Sequence, residues 1–254
     1  MSNCMWALSR GRPGVHLVPL LTLMAAGLGV GPGALSAQEE SIDSPFRWRE
    51  RGFRIGLFGG YHAANRGSLE FGQGPSPAGG VKMRVRASSP LSLELGLTHA
   101  PAERWVVDAA AEGGPAIVDT VAAGWLRAEG GVQVALTGAR TWNGIQPYGL
   151  FGGGFVFGVD EGASELLADP ALEAFRYDIS TAPHIYLGLG FEIFPSGKIG
   201  IGFEVRDYVI RLSAPDGFLL PDILEGIEEA GAPAPDASAW QHNPEFGIVL
   251  WYYF

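Results

Sequence analysis

The sequence predicts an all-β fold: an eight-stranded antiparallel up-and-down transmembrane β-barrel, with short helices in the external loops. Three observations predict it. Eight segments of about ten residues alternate apolar and polar with period two. The connections between them alternate short and long, and the chain opens with the pattern of an export leader.

The leader comes first. Arg10 and Arg12 precede an apolar stretch from Val15 to Val30, and Ala34-Leu35-Ser36-Ala37 brings small residues before Gln38-Glu39-Glu40. Basic region, apolar core and small-residue cut is the order of a secretory signal peptide. Cleavage after Ser36 is an alternative to cleavage after Ala37, because Leu35 is bulky. A permanent helical anchor is disfavoured by His16, Pro19, Gly27, Gly29 and Gly31. The expected plan is a signal peptide over 1–37, a short periplasmic segment over 38–51 and a barrel domain over 52–254.

Composition narrows the function. The 254 residues are 47% hydrophobic and 17% charged, with 38 glycines, 18 prolines and one cysteine. So few charges with so many apolar residues argue against disorder. Taking Arg10 and Arg12 from the 17 basic residues leaves 15 against 27 acids. That balance excludes a nucleic-acid partner, which needs clustered Lys and Arg. Cys4 lies in the leader, so the exported chain has no internal disulfide and no thiolate metal site.

The strands follow in order. Residues 53–62 place apolar side chains at odd positions; 81–87 and 91–98 alternate strictly, and 126–136 do so again. Residues 148–159 are apolar on both faces and rich in glycine. The segments 185–193, 199–206 and 245–254 complete the set. Eight is an even number, as closure of such a barrel in one exported chain requires. Short connections at 88–90, 138–144 and 195–198 oppose long ones at 64–79, 99–123, 160–182 and 212–243, the arrangement of periplasmic turns and external loops. Asp207 breaks the alternation, which marks either a bulge or a strand that has left the bilayer.

The polar face carries Arg54, Lys82, Arg84, Arg86, Glu94, Arg127, Glu129, Glu192, Glu204 and Arg206, interleaved with glycines. Small residues beside long paired charges suit the inside of a narrow barrel. Glu192, Glu204 and Arg206 are expected to cluster with Arg84, Arg86 or Arg127. The other face is Leu, Ile, Val and Phe, where a charge at bilayer mid-depth would cost about 2–4 kcal/mol. Lipid is therefore the expected neighbour of that face.

The C-terminal segment 245–254 resembles the last strand of bacterial outer-membrane β-barrel proteins. Glu245, Gly247, Leu250, Tyr252 and the final Phe254 match that family's assembly signal. Over the exported chain the likeness is to its small eight-stranded members, the OmpA/OmpX-like barrel domains. The resemblance implies outer-membrane localisation, lipid contact, insertion by the outer-membrane assembly machinery and a monomer. Trp251 and Tyr253 depart from it by pointing inward, where that family more usually has smaller or polar residues.

Other motifs are weaker. Tyr61, Trp125, Trp142, Tyr148, Tyr252 and Phe254 lie near strand ends and are expected in interfacial girdles. His62, His99, His184 and His242 lie at the loop ends of strands, with Ser68, Ser180 and Ser213 as candidate nucleophiles. No metal-ligand spacing or nucleophile elbow accompanies them, so neither a cofactor, a metal nor an enzyme is expected. Acids crowd the loops at 160–178 and 216–236. Leu220, Ile223, Leu224 and Ile227 have helical spacing after Pro221, and Asp169-Pro170 offers a second helix start. The expected role is structural or surface interaction, or passage of small apolar molecules. A lipid-modifying enzyme and a soluble lipocalin-like binder are the alternatives.

Overall fold

The computed structural model describes residues 45–48, 52–66, 72–108, 116–159, 181–229 and 236–254. The expected leader, Asp169-Pro170 and the acidic stretch after Asp160 lie outside them. The strands are β1 Phe46–Trp48, β2 Phe53–His62, β3 Ser76–Arg86, β4 Leu91–Ala100, β5 Glu103–Asp108, β6 Ala116–Ala122, β7 Gly124–Ala135, β8 Arg140–Trp142, β9 Ile145–Val159, β10 Ala182–Ile193, β11 Ile199–Ser213 and β12 Ser238–Tyr253. Helix α1 spans Pro221–Glu229.

Antiparallel pairing runs β2-β3-β4-β7-β9-β10-β11-β12 and returns from β12 to β2, closing an eight-stranded barrel among the described residues. Every wall strand covers one of the eight segments to within a residue. Several extend further toward the long loops: β9 and β11 have 15 residues and β12 has 16. Apolar alternation is needed only where lipid touches the wall, whereas the backbone ladder can continue beyond it.

The register of β11 against β12 is unbroken from Ile199↔Tyr252 to Ser213↔Ser238, and β10 pairs through Leu187↔Asp207 without a shift. Asp207 is therefore not at a bulge. It points outward on a strand that runs on.

Short connections lie together at one end. In the connection from β7 to β9, Asn143-Gly144 forms the two-residue turn between β8 and β9, both residues at positive φ (49° and 78°). Asn-Gly is the pair that tolerates this backbone, and its twist matches that of a hairpin. At the same end β1 pairs with β8, and the amide of Phe254 donates to the carbonyl of Phe53 at 3.2 Å. At the opposite end, the β4–β7 connection folds into the hairpin β5–β6. Helix α1 starts on Pro221, where a missing N–H costs nothing, and buries Ile227. Among the described residues no helix is long and apolar enough to cross a membrane.

Candidate functional site

Because side chains alternate across a strand, one parity of each wall strand faces out and the other faces the lumen. Leu57, Leu187 and Leu189 are 64%, 69% and 68% exposed on the outer surface, within a belt that includes Leu93, Leu95, Phe151, Phe155, Ile185 and Ile248. Lys82 and Glu192 are 0% exposed inside. An apolar belt around the whole wall far exceeds the patches that water-soluble monomers present. In water this polarity would be inverted. The chain is a transmembrane β-barrel. A soluble lipocalin-like binder, which needs a greasy interior and a polar wall, is excluded by the same observation.

Inside, the charges form two groups, a large one around Glu204 and Arg206 and a small one around Arg54. Glu204 accepts from Lys82 Nζ at 3.0 Å, Arg206 Nε at 2.9 Å and Tyr148 Oη at 2.9 Å, and also from Arg84. Arg206 reaches Glu129 at 2.8 Å and Glu94 at 2.6 Å, and Arg84 also binds Glu94. Arg127 bridges Glu245 at 2.7 Å and Glu129 at 3.3 Å. Nearer the turn end, Arg54 donates to Tyr253 Oη and Gln133 at 2.7 Å each and lies 3.5 Å from Glu192, which also accepts from Tyr253. The cluster expected around Glu204 and Arg206 thus gathers Arg84, while Glu192 pairs with Arg54 instead. Arg86 is half-buried at the turn-end mouth, where it and Arg54 line two cavities of about 10 Å³, each the size of one water.

Aromatic rings and glycines fill the space that remains. Arg84 lies 4.4 Å from the Trp251 ring, Arg127 3.6 Å from Tyr208, and Lys82 Nζ 4.2 Å from Phe58. Each contact adds cation–π attraction where water is excluded. Trp251 fits because Gly56 and Gly202 face it: a Cβ on Gly56 would sit 2.6 Å from Trp251 Cε3. Tyr148 lies over Gly190, and Tyr186 over Gly131 and Gly152, in the same way. The inward Trp251 and Tyr253 are therefore packing elements of this lumen.

Two expected girdle residues are corrected. Trp125 and Tyr148 are buried in the lumen, because they share the parity of Arg127 and Leu150. Tyr61, Trp142, Tyr252 and Phe254 face outward and are exposed. The histidines divide as well. His62 and His184 are buried inside, His62 4.8 Å from Trp125 and 3.5 Å from Glu245, His184 5.6 Å from Tyr208. Among the described residues, their ring nitrogens, Tyr186 Oη, Tyr208 Oη and Trp125 Nε1 have no hydrogen-bond partner. His242 faces outward and pairs with Asp207 at 2.6 Å, and His99 is half-buried. Ser213 is exposed, while Ser68 and Ser180 lie outside the described residues. Among the described residues no group of three His, Cys, Asp or Glu could hold a metal ion.

Of the C-terminal residues, Glu245 is buried as the partner of Arg127 and Gly247 faces Phe58, while Leu250, Tyr252 and Phe254 point outward. Glu245, His62 and His184 are lumen residues that the list of charged alternating positions missed. Extending the inward parity toward the loop end would have found all three.

No family model matches the chain, and no curated protein matches it. Among solved structures it is similar to the outer membrane protein OprG from Pseudomonas aeruginosa, at 14% identity over 84% of this chain and 99% of that one, with a TM-score of 0.48. Neisserial surface protein A is similar at 9% identity over 83% and 98%, TM-score 0.47. Ail, the attachment invasion locus protein of Yersinia pestis, is similar at 10% identity over 81% and 100%, TM-score 0.38.

Proposed function

We propose that this chain is an outer-membrane protein with a structural or surface-interaction role, its barrel acting as a filled stave rather than a pore. The observation that carries this reading is the lumen itself: five buried cations, five buried acids, and the aromatic rings packed among them occupy the axis where solute would pass. An eight-stranded wall encloses about enough room for side chains, and here they are tied to one another from several strands at once. Outer-membrane lipid surrounds the wall, the outer-membrane assembly machinery inserts the chain through its C-terminal strand, and the protein works as a monomer. The external loops, which hold most of the acids, would meet its partners.

Planar-bilayer recording of the refolded full chain tests this. The expected trace stays at baseline, and stable open channels would overturn the filled-lumen reading in favour of transport. Passage of small apolar molecules would proceed without conductance. It would appear as uptake of a hydrophobic dye into vesicles that depends on the protein.

A further inference from the structure

Above the apolar belt, on the outside of the wall, lies an open groove of about 650 Å³. Its lining combines Ala63, Ala64, Pro75 and Pro244 with Asn65, Arg66, Trp105 and His242. Its position is set by backbone pairing. The chain leaving β2 stays beside β12, with Ala63 N donating to Pro244 O at 2.8 Å and Asn65 N to Asn243 Oδ1 at 2.8 Å. Two residue pairs below, Tyr61 and Phe246 face each other in register, 50% and 53% exposed, at the top of the acyl belt. Trp105 arrives from the β5–β6 hairpin, and the Arg66 guanidinium stacks 3.5 Å from its ring. Arg66 lines the groove, and its buried Nη1 has no hydrogen-bond partner among the described residues. His242 is already paired with Asp207 at 2.6 Å. Among the described residues that line the groove, the unmatched charge is that of Arg66.

We propose that this groove seats the phosphate of an anionic membrane lipid, with Arg66 binding the phosphate and the acyl chains running down over Tyr61 and Phe246. A guanidinium fork suits a phosphate, and stacking on an indole holds it in place without neutralising it. Tryptophan at a membrane boundary offers an apolar body and a polar edge. The apolar part of the lining selects the source of the phosphate. Alanines and prolines continuous with the acyl belt would be left bare by a free anion and are covered by a lipid. This inference rests on the membrane-barrel reading and goes beyond it.

The test titrates the refolded full chain, in neutral detergent micelles, with phosphatidylglycerol and reads bound lipid by native mass spectrometry. Expected is one retained lipid per chain, bound about tenfold more weakly by R66Q and by W105A, the loss of one charge-assisted contact. Diacylglycerol with the same chains is not retained, and inorganic phosphate does not compete at the lipid's concentration. Equal retention by wild type and R66Q, equal retention of diacylglycerol, or displacement by inorganic phosphate would each overturn the proposal. Heat-modifiable gel mobility reports folding separately. A wild-type chain that fails to fold in micelles would refute the membrane-barrel reading and this site with it.

Discussion

Glu204 accepts from Lys82, Arg84, Arg206 and Tyr148, so it is the residue on which the lumen lattice most depends. A buried ion pair contributes little beyond an apolar replacement of both partners, but removing one partner strands the other's charge. Glu204→Gln is therefore expected to cost about 3–5 kcal/mol, read by urea unfolding in lipid vesicles. Replacing Lys82 and Glu204 together by Met and Leu should cost less than Glu204→Gln alone. The fit of Trp251 gives a second residue-level prediction. Gly56→Ala places a Cβ against its ring and against Val249 and should cost about 1–3 kcal/mol, an overpacking penalty that Trp251→Leu in the same chain relieves in part. At this scale the sequence showed the parity of each charge, since Lys82, Arg84, Glu204 and Arg206 alternate with apolar neighbours. It hid the roles of Trp125 and Tyr148. Nearness to a strand end suggested an interface, whereas strand parity turned both inward.

The wall strands were legible as elements because lipid contact imposes a strict period of two. Their loop-side ends were not. From Asp207 onward β11 leaves the apolar pattern, yet its register with β12 holds to Ser213↔Ser238, because main-chain hydrogen bonds do not depend on side-chain polarity. The β5–β6 hairpin and the β1–β8 pair carry no long alternation, which left them as parts of loops in the sequence reading. The belt boundary makes a depth prediction. Leu189→Arg, in the belt, should destabilise the barrel by about 2–4 kcal/mol in vesicles, while Asp207→Arg, where the wall already carries the exposed Asp207–His242 pair at its loop-side edge, should change it by at most about 1 kcal/mol. Equal penalties at the two sites would remove Asp207 from the membrane boundary.

Closure decides the molecule as a whole. The pairing of β12 with β2, from Glu245↔His62 to Tyr253↔Arg54, removes the two edges an open sheet would leave without partners in lipid. Deleting residues 249–254 should abolish the compact, heat-modifiable form on gels, because most of that ladder is lost. Closure also sets the lattice. Arg54 meets a tyrosine 199 residues away and Arg206 a glutamate 77 residues away, partners chosen by the stagger of the strands around the cylinder.

From its order of residues alone, this chain determined which face of each strand meets lipid, how many strands cross and at which end the turns lie, because period two and connection length are local properties. Only the closed structure decided which acid answers which cation, which glycine makes room for which ring, and where the groove at Arg66 opens. Those contacts join residues far apart in the chain, and the shear of the barrel brings them together.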